Sequence, residues 1–286
     1  MSGRASSEVV EDITEGPILI SRDGNVHVIT FNRPDRMNAL DLPTHDLLVE
    51  TLQRVDRDPV SRAVLITGNG RAFCAGGDLK AAQQRGGAYL GDLVGRPWVH
   101  SHGREIIHAV LSMDKPTVAM VNGAATGLGA NLALLLDAAV VDEDATLGDT
   151  HVRAGLVAGD GGAVIWPLLV GPNRAKEFLM TSRMLTGRDA ERLGLVTAAV
   201  PKDQLHKRAF ELAHEFADQA PYAAMATKAI VNQYLWMMVN LTLDIVLTIG
   251  SAYLQAVVAR ARVQSAQAKI DTAMALSARA SQRRTA

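Results

Sequence analysis

The sequence predicts an α/β fold assembled from parallel βαβ units. Two patterns point to it: short apolar β-type runs alternate with helix-type stretches, and glycine-containing turns follow the runs. Composition agrees, since 48% of the 286 residues are hydrophobic and 21% charged, as suits a packed core rather than a disordered chain.

The first clear β run is Val26 to Phe31, closed by Asn32-Arg33-Pro34. Asp41 then serves as N-cap of a helix that carries Leu47, Leu48, Leu52 and Val55 on one face. Ala63 to Thr67 is a second run, ended by Gly68-Asn69-Gly70. A helix around His100 to Ser112, a strand Thr117 to Val121, a glycine loop, a helix Leu128 to Leu136 and a strand Ala138 to Val141 continue the alternation. Ligands of such sheets bind near the C-terminal ends of the strands. Gly86 to Pro97 is glycine-rich and expected to be mobile beside the site. After Gly171 the pattern turns mainly helical, with a β run at Val196 to Val200, a helix Asp203 to Gln219 and an apolar helix from Pro221. The expected organisation is a flexible N-terminus (1–16), a core with the site (17–220) and a C-terminal helical region for oligomer contacts (221–286), whose Ser277 to Ala286 tail frays.

Charge and cysteine content exclude several classes. The formal net charge is −1, so no global field holds nucleic acid or an anionic membrane. One cysteine, Cys74, forbids an intramolecular disulfide. The polar start lacks a signal-peptide core, and Asn232, Gln233, Asn240 and Asp244 interrupt the most apolar stretch, so neither secretion nor a membrane span is expected. A cytoplasmic enzyme is the expectation.

Two glycine turns follow β runs, Gly68 to Leu79 and Asn122 to Asn131. Neither ends in the Gly-Lys-Ser/Thr of a phosphate loop, and Gly127-x-Gly129 lacks the third glycine of a dinucleotide fingerprint. Glycine lets a backbone approach a ligand closely, and the amides that enter a helix are unpaired donors. The N–H groups of Gly77 and Leu128 are therefore candidates to converge on one carbonyl oxygen, a geometry that stabilises developing negative charge. Ordinary strand-to-helix turns are the plainer alternative.

The runs Phe31-Asn32-Arg33-Pro34…Asn38-Ala39-Leu40, Phe73-Cys74-Ala75-Gly76-Gly77-Asp78-Leu79, Lys115 to Gly123 and Gly194-Leu195-Val196, with Pro221-Tyr222-Ala223 and Lys228, stand in a specific order. That order resembles the crotonase (enoyl-CoA hydratase/isomerase) superfamily over about Asn25 to Lys228. The resemblance implies a spiral of ββα units, acyl-CoA substrates with coenzyme A as part of the substrate and no permanently bound cofactor, and homotrimers or dimers of trimers. It implies an oxyanion hole from Gly77 and Leu128, acyl-CoA contacts along Gly77, Asp78, Leu79 and Lys80 with Ala75, and a pantetheine or adenine border at Met37 and Ala39. The C-terminal Ala259-Arg260-Ala261-Arg262-Val263 departs from the family's usual acidic-then-aromatic ending.

Hydratases of that family supply two glutamates, and the matching positions here hold Asn131 and His151. Asn131 can orient water or substrate but exchanges no proton near neutrality. His151 can, since an unperturbed imidazole titrates near ~6.5. Asp149 and Asp160 lie close in sequence, and either could hold the imidazole in one tautomer. Asp160 also reads as the N-cap of a following helix. The catalytic candidates are His151, Asp160 and Asn131. The leading expectation is a hydratase/isomerase-type acyl-CoA enzyme. The runner-up is hydrolytic C–C cleavage of a 1,3-dicarbonyl by a His–Asp pair, followed by enoyl isomerisation or decarboxylation, and a catalytically silent acyl-CoA-binding scaffold is a further alternative.

The remaining candidates have structural readings. His100, Arg104 and His108 share a helix face beside the cleft or at solvent, without the ligand pattern of a metal site. Cys74 lacks an adjacent histidine, Asp78 reads as a helix cap, and Trp236-Met237-Met238 reads as core or subunit contact.

Overall fold

The computed structural model describes residues 10–78 and 99–243 and positions 245, 264, 267 and 271, with only the backbone given for 99–103. Six strands form the main sheet in the order β1 (Ile18–Asp23), β2 (Val26–Phe31), β3 (Ala63–Gly68), β5 (Thr117–Val121), β7 (Ala138–Asp142), β10 (Ala198–Val200). β1 pairs antiparallel with β2, opposing Ile20 to Ile29, and every other pair is parallel. A second sheet joins β4 (Ala72–Cys74), β6 (Ala124–Thr126), β8 (Thr146–Gly148) and β9 (Leu185–Thr186).

The described helices are α1 (Leu42–Arg57), α2 (Val99–Leu111), α3 (Leu128–Leu135), α4 (Gly162–Val170), α5 (Pro172–Thr181), α6 (Gly187–Arg192), α7 (Lys202–Ala217) and α8 (Pro221–Met238). Asp41 caps α1 as expected, accepting from the Thr44 amide at 3.1 Å. The β run expected at Val196 to Val200 is shorter, beginning at Ala198. β1 was not foreseen. It is an edge strand whose second half, Ser21 to Asp23, is exposed and polar. Of the start expected to be flexible (1–16), residues 1–9 lie outside the described residues. Val10, however, is buried with its amide on Asp58 Oδ2 at 2.7 Å, and Ile13 pairs with Ile20, so the docked chain reaches back to Val10. Gly86 to Pro97 and the 277–286 tail lie outside the described residues.

Side chains alternate across the main sheet and are buried on both faces, as parallel sheets require. Val64 and Ile66 join Leu48, Leu52, Ile106 and Ile107 in one cluster, while Ala63 and Leu65 join Leu205, Ala209 and Leu212 of α7 in another. Full burial of each such leucine or isoleucine contributes about 1.5–3 kcal/mol. Two motif asparagines brace the loops above this core. Buried Asn38 donates to the carbonyls of Asn69 and Ala72 at 3.0 and 2.8 Å and accepts from Arg33 N at 2.8 Å. Asn122 accepts from Gly68 N at 3.2 Å and donates to Gly70 O at 2.9 Å.

Lys228 and Lys115 are buried ties rather than ligand contacts. Lys228 Nζ donates to Lys115 O at 2.7 Å and pairs with Asp137 at 2.8 Å, fastening α8 to the start of β5. Lys115 Nζ donates to the carbonyls of Val55 and Asp58 and to Ser61 Oγ. Ser61 Oγ, which accepts from Lys115, also shares a hydrogen bond with His27 Nδ1, 2.6 Å away. His27 Nε2 lacks a hydrogen-bond partner, and its 3.5 Å approach to Asp58 is no ion pair because the ring is neutral. Burial lowers the His27 pKa to about 4, against the opposing pull of Asp58.

The folded chain therefore refuses a proton that the unfolded chain accepts once pH falls below the ordinary histidine range. Stability contributed by neutral His27 is present above that range and lost as pH falls toward about 4. Between pH 7 and 5 the loss is about 2 kcal/mol. Denaturant titrations of His27→Gln at the two pH values are expected to show an acid-side slope flatter by that amount; an unchanged slope refutes the assignment.

Candidate active site

Parallel pairing of β4 with β6 and of β6 with β8 sets their C-terminal ends side by side. The segments that leave them are the two glycine turns and the histidine loop. In the first turn Leu40 N donates to Gly76 O at 2.8 Å and Asp78 N donates to Leu40 O at 3.0 Å. Successive amides of an extended strand point to opposite sides, so the Gly77 N–H faces away from Leu40. A Cβ built on Gly77 meets no heavy atom of the described residues within 4 Å.

The second turn lies against the first. Thr126 Oγ1 donates to Ala75 O at 3.0 Å. Gly76 has φ +82°, and a Cβ there would stand 2.7 Å from Thr126 O and 3.2 Å from Leu128 N, so only glycine permits the approach. Leu128 opens α3, which makes its amide one of the helix's four unpaired donors. Gly127 N donates to Gly148 O at 3.0 Å, tying this turn to the histidine loop. A Cβ on Gly127 would lie 3.4 Å from His151 Cε1 and 3.8 Å from Nε2, so the imidazole packs directly beside the Leu128 turn.

His151 is held from both sides. Its Nδ1 lies 2.7 Å from Asp149 Oδ1, which also accepts the His151 backbone N–H at 3.0 Å, and its Nε2 lies 3.0 Å from Asp160 Oδ2. Asp149 is fully buried, whereas the His151 and Asp160 side chains each keep 17% exposure. Asn131, also buried, donates through Nδ2 to Asp149 Oδ2 and to Asp160 Oδ1, both at 2.9 Å. Trp166 Nε1 donates to Asn131 Oδ1 at 2.9 Å.

Both His151 contacts are hydrogen bonds to carboxylates only if each ring nitrogen carries a proton. Burial alone would lower the His151 pKa, but the Asp160 charge and the hydrogen bonds to both carboxylates overcome it and raise the value well above 6.5. Burial likewise opposes ionisation of Asp149, and its bonds from His151 and Asn131 outweigh that and lower its pKa. Among the described residues, Asp149, His151 and Asp160 form the one cluster with ligand-type atoms mutually within 4.8 Å. The carboxylates sit on opposite nitrogens of a single ring, so one ion could not replace both contacts.

A family model described as enoyl-CoA hydratase/isomerase matches residues 21–268. This chain belongs to the enoyl-CoA hydratase/isomerase family. It is 38% identical over 213 residues to a putative enoyl-CoA hydratase of Thermus thermophilus, a match covering 73% of this chain and 81% of that one. To the carnitinyl-CoA dehydratase of Salmonella enteritidis it is 35% identical over 212 residues, covering 74% and 78%. A solved enoyl-CoA hydratase/isomerase from Mycobacterium paratuberculosis superposes with TM-score 0.75 at 35% identity, covering 85% of this chain and 98% of that one. A monofunctional enoyl-CoA isomerase from M. smegmatis gives TM-score 0.65 at 29% identity, covering 77% and 93%. The α/β architecture is thus the crotonase-type fold that the motif order suggested.

Within this family member the other candidates separate. Asp160 does not cap α4: that helix starts at Gly162 with Gly161 as N-cap and no side-chain cap bond, because the carboxylate is engaged by Asn131 and His151. Asp149 carries the deeper contact with His151, through a two-residue side-chain turn that the spacing permitted but did not select. Trp166 went unnoticed, since no local pattern links it to Asn131, 35 positions away. Asp78 pairs with Arg33 at 3.4 Å, and Arg33 also pairs with Asp41 at 3.0 Å and donates to Ala39 O, so the stretch expected to border a ligand is cross-braced. Met37 takes a left-handed conformation with φ +55° and accepts the Ala75 N–H at 3.0 Å. Leu79 and Lys80 lie outside the described residues, as do the side chains of His100 and His102.

His108 belongs elsewhere. It accepts from Arg104 Nε at 3.2 Å, packs edge-on against Trp236 and lines a groove of about 320 Å³ with Val49, Gln53 and Glu105. Cys74 is buried, and burial pushes its thiol pKa to about 12, which leaves no nucleophile. Trp236 and Met238 pack on the core, while Met237 is exposed.

A Cβ on Gly162 would fall 2.4 Å from Asp149 Oδ2 and 3.1 Å from Asn131 Nδ2. Gly162→Ala is expected to destabilise the fold by about 1–3 kcal/mol, as overpacking does. Thermal melts check it, and an unaltered melting temperature contradicts the packing described.

Proposed function

We propose that this enzyme acts on acyl-CoA thioesters, holding an enolate oxygen on the Gly77 and Leu128 amides while His151 moves protons at carbon. The single observation that carries this reading is the stacking of the His151 imidazole beside the Gly127–Leu128 turn. An oxyanion seated on the Leu128 amide has its α-carbon about 2.4 Å away by ordinary bond lengths. That short reach keeps the α-carbon in the neighbourhood of the imidazole that packs on this turn.

In enoyl hydration, Asp160 accepts a proton from water as the oxygen adds to the β-carbon. The electron pair moves onto the thioester oxygen, and protonated His151 delivers its proton to the α-carbon. Transfer from Asp160 to Nε2 then resets the pair. Double-bond isomerisation relocates one proton between carbons: Asp160 would take it as base, since both ring nitrogens of His151 already carry protons, and His151 would deliver one at the other carbon. Coenzyme A enters as part of the substrate. The relatives' names support this class, all four of the proteins compared being named as enoyl-CoA or carnitinyl-CoA enzymes.

The 3.0 Å His151–Asp160 contact also favours a second reading. Water activated by that pair adds to one carbonyl of a 1,3-dicarbonyl, the C–C bond breaks, and the departing enolate takes a proton at carbon. The products are a carboxylic acid and a ketone. Assembly as trimers or dimers of trimers is supported by exposed Tyr222, Ile230, Val231 and Tyr234 on α8 and by an apolar groove of about 850 Å³ between α4 and α8. No described helix is long and apolar enough to cross a membrane.

A panel of 2-enoyl-CoA, 3-enoyl-CoA and 1,3-diketone substrates separates the readings, and tight CoA-ester binding without turnover on any of them supports a silent scaffold. His151→Ala is expected to slow the preferred reaction by about 10²–10⁴-fold, and Gly77→Pro, which deletes one donor, by about 10²–10³-fold. Full turnover by either variant defeats the assignment. Because the proton donor is the protonated ring, the rate falls as pH rises through the elevated His151 pKa. Asp149→Asn removes one cause of that elevation and is expected to move the alkaline limb of kcat/KM to lower pH.

A further inference from the structure

Four side chains form a closed ring. His151 bonds Asp149 and Asp160, and Asn131 bonds the same two carboxylates through the other oxygen of each. An asparagine amide has two orientations, and here the partners leave one. The Trp166 indole can only donate and the ionised carboxylates can only accept, so Oδ1 must face Trp166 and the two N–H groups must face the aspartates. We propose that Trp166 and Asn131 are positioning residues of this site: the indole N–H keys the amide, and the amide clamps Asp149 and Asp160 onto opposite sides of His151.

The physical need for the clamp is like-charge repulsion. Two carboxylates converge on a single Nδ2, each 2.9 Å away, in a place where Asn131 and Trp166 are fully buried. Only donors between them offset that repulsion. Apart from the amide, Asp149 is pinned by two bonds from His151 in its own loop and by full burial, whereas Asp160 sits in a loop before α4 and is partly exposed. Without the amide, Asp160 is the partner that leaves. Among the described residues, the charged groups against the imidazole are Asp149 in its own loop and Asp160 in the neighbouring one. α3 presents only Gly127 and uncharged Asn131, and the Cys74 thiol near Asp160 is un-ionised.

The proposal deepens the acyl-CoA reading, but its test is independent of substrate. The imidazole nitrogens of His151 are followed by NMR in ¹⁵N-histidine-labelled full-length protein as pH is raised, with His151→Gln identifying the signal. In the parent protein both nitrogens are expected to remain protonated across neutrality. In Asn131→Leu, loss of Asp160 is expected to lower the midpoint by about one pH unit, a tenfold loss of proton affinity. Trp166→Phe keeps the aromatic packing and unkeys the amide, and its midpoint is expected to fall several-fold in affinity. A merely structural role would lower the melting temperature of either variant and leave the midpoint where it was. An unchanged or raised midpoint in folded Trp166→Phe, or in folded Asn131→Leu, overturns the clamp. If the midpoints fall but no acyl-CoA is turned over, the clamp stands and the proposed reaction fails.

Discussion

The site depends on keeping one imidazolium and two carboxylates together inside a wall of packed apolar side chains. Taking charges out of water costs several kcal/mol per ion, and that cost is offset only where each oxygen and N–H finds a partner. Here every one of them does: Asp149 uses both oxygens, His151 both nitrogens, and Asn131 its oxygen and its amino group. Remove one member and the rest are left as buried, unmatched charge. The same condition explains why the residue between the carboxylates is an amide. A third carboxylate there would add repulsion, and an apolar residue would leave two oxygens unsatisfied.

The fold supplies the rigidity that such matching needs. Three strands of the second sheet are only three residues long, yet they aim three loops at one point. Their stiffness comes from outside the sheet. Asn38 and Asn122 hold the carbonyls of the segment around Gly68 to Ala72, Thr126 clasps Ala75, and Gly127 clasps Gly148. Glycine motifs that look like flexibility in a sequence act here as close approach. At Gly76 any larger residue would push the two turns apart.

Much of this was legible from residue order. The main-sheet strands from β2 to β7 announced themselves as apolar runs between helices, and Asp41 as a cap. His151 stood out because it is titratable where a carboxylate was expected. What was not legible has physical causes. Strands of three residues carry no periodicity, so the second sheet left no trace. Either Asp149 or Asp160 could hold the ring by sequence and Asp160 was the candidate named, whereas the backbone turn at Asp149–His151 puts Asp149 behind the ring and Asp160 in front. Trp166 read as core, which it is; that its N–H also orients an asparagine depends on how α3 and α4 pack, and linear order does not encode that packing.

The arrangement also sets the strength of the acid. Each carboxylate that stabilises the imidazolium guarantees that the proton is present at neutral pH, and by the same amount makes it harder to give away, about 1.4 kcal/mol per pKa unit. After donation the ring would carry two carboxylates around a neutral imidazole, so the proton's return is strongly favoured. A site of this kind is poorly suited to waiting as an empty base that strips a proton from carbon. It suits reactions in which the enolate arises by addition of water or by loss of a carbon group, and the stored proton quenches it. Asp160, on the exposed side of the ring and in contact with Nε2, is the group through which that proton would be replaced.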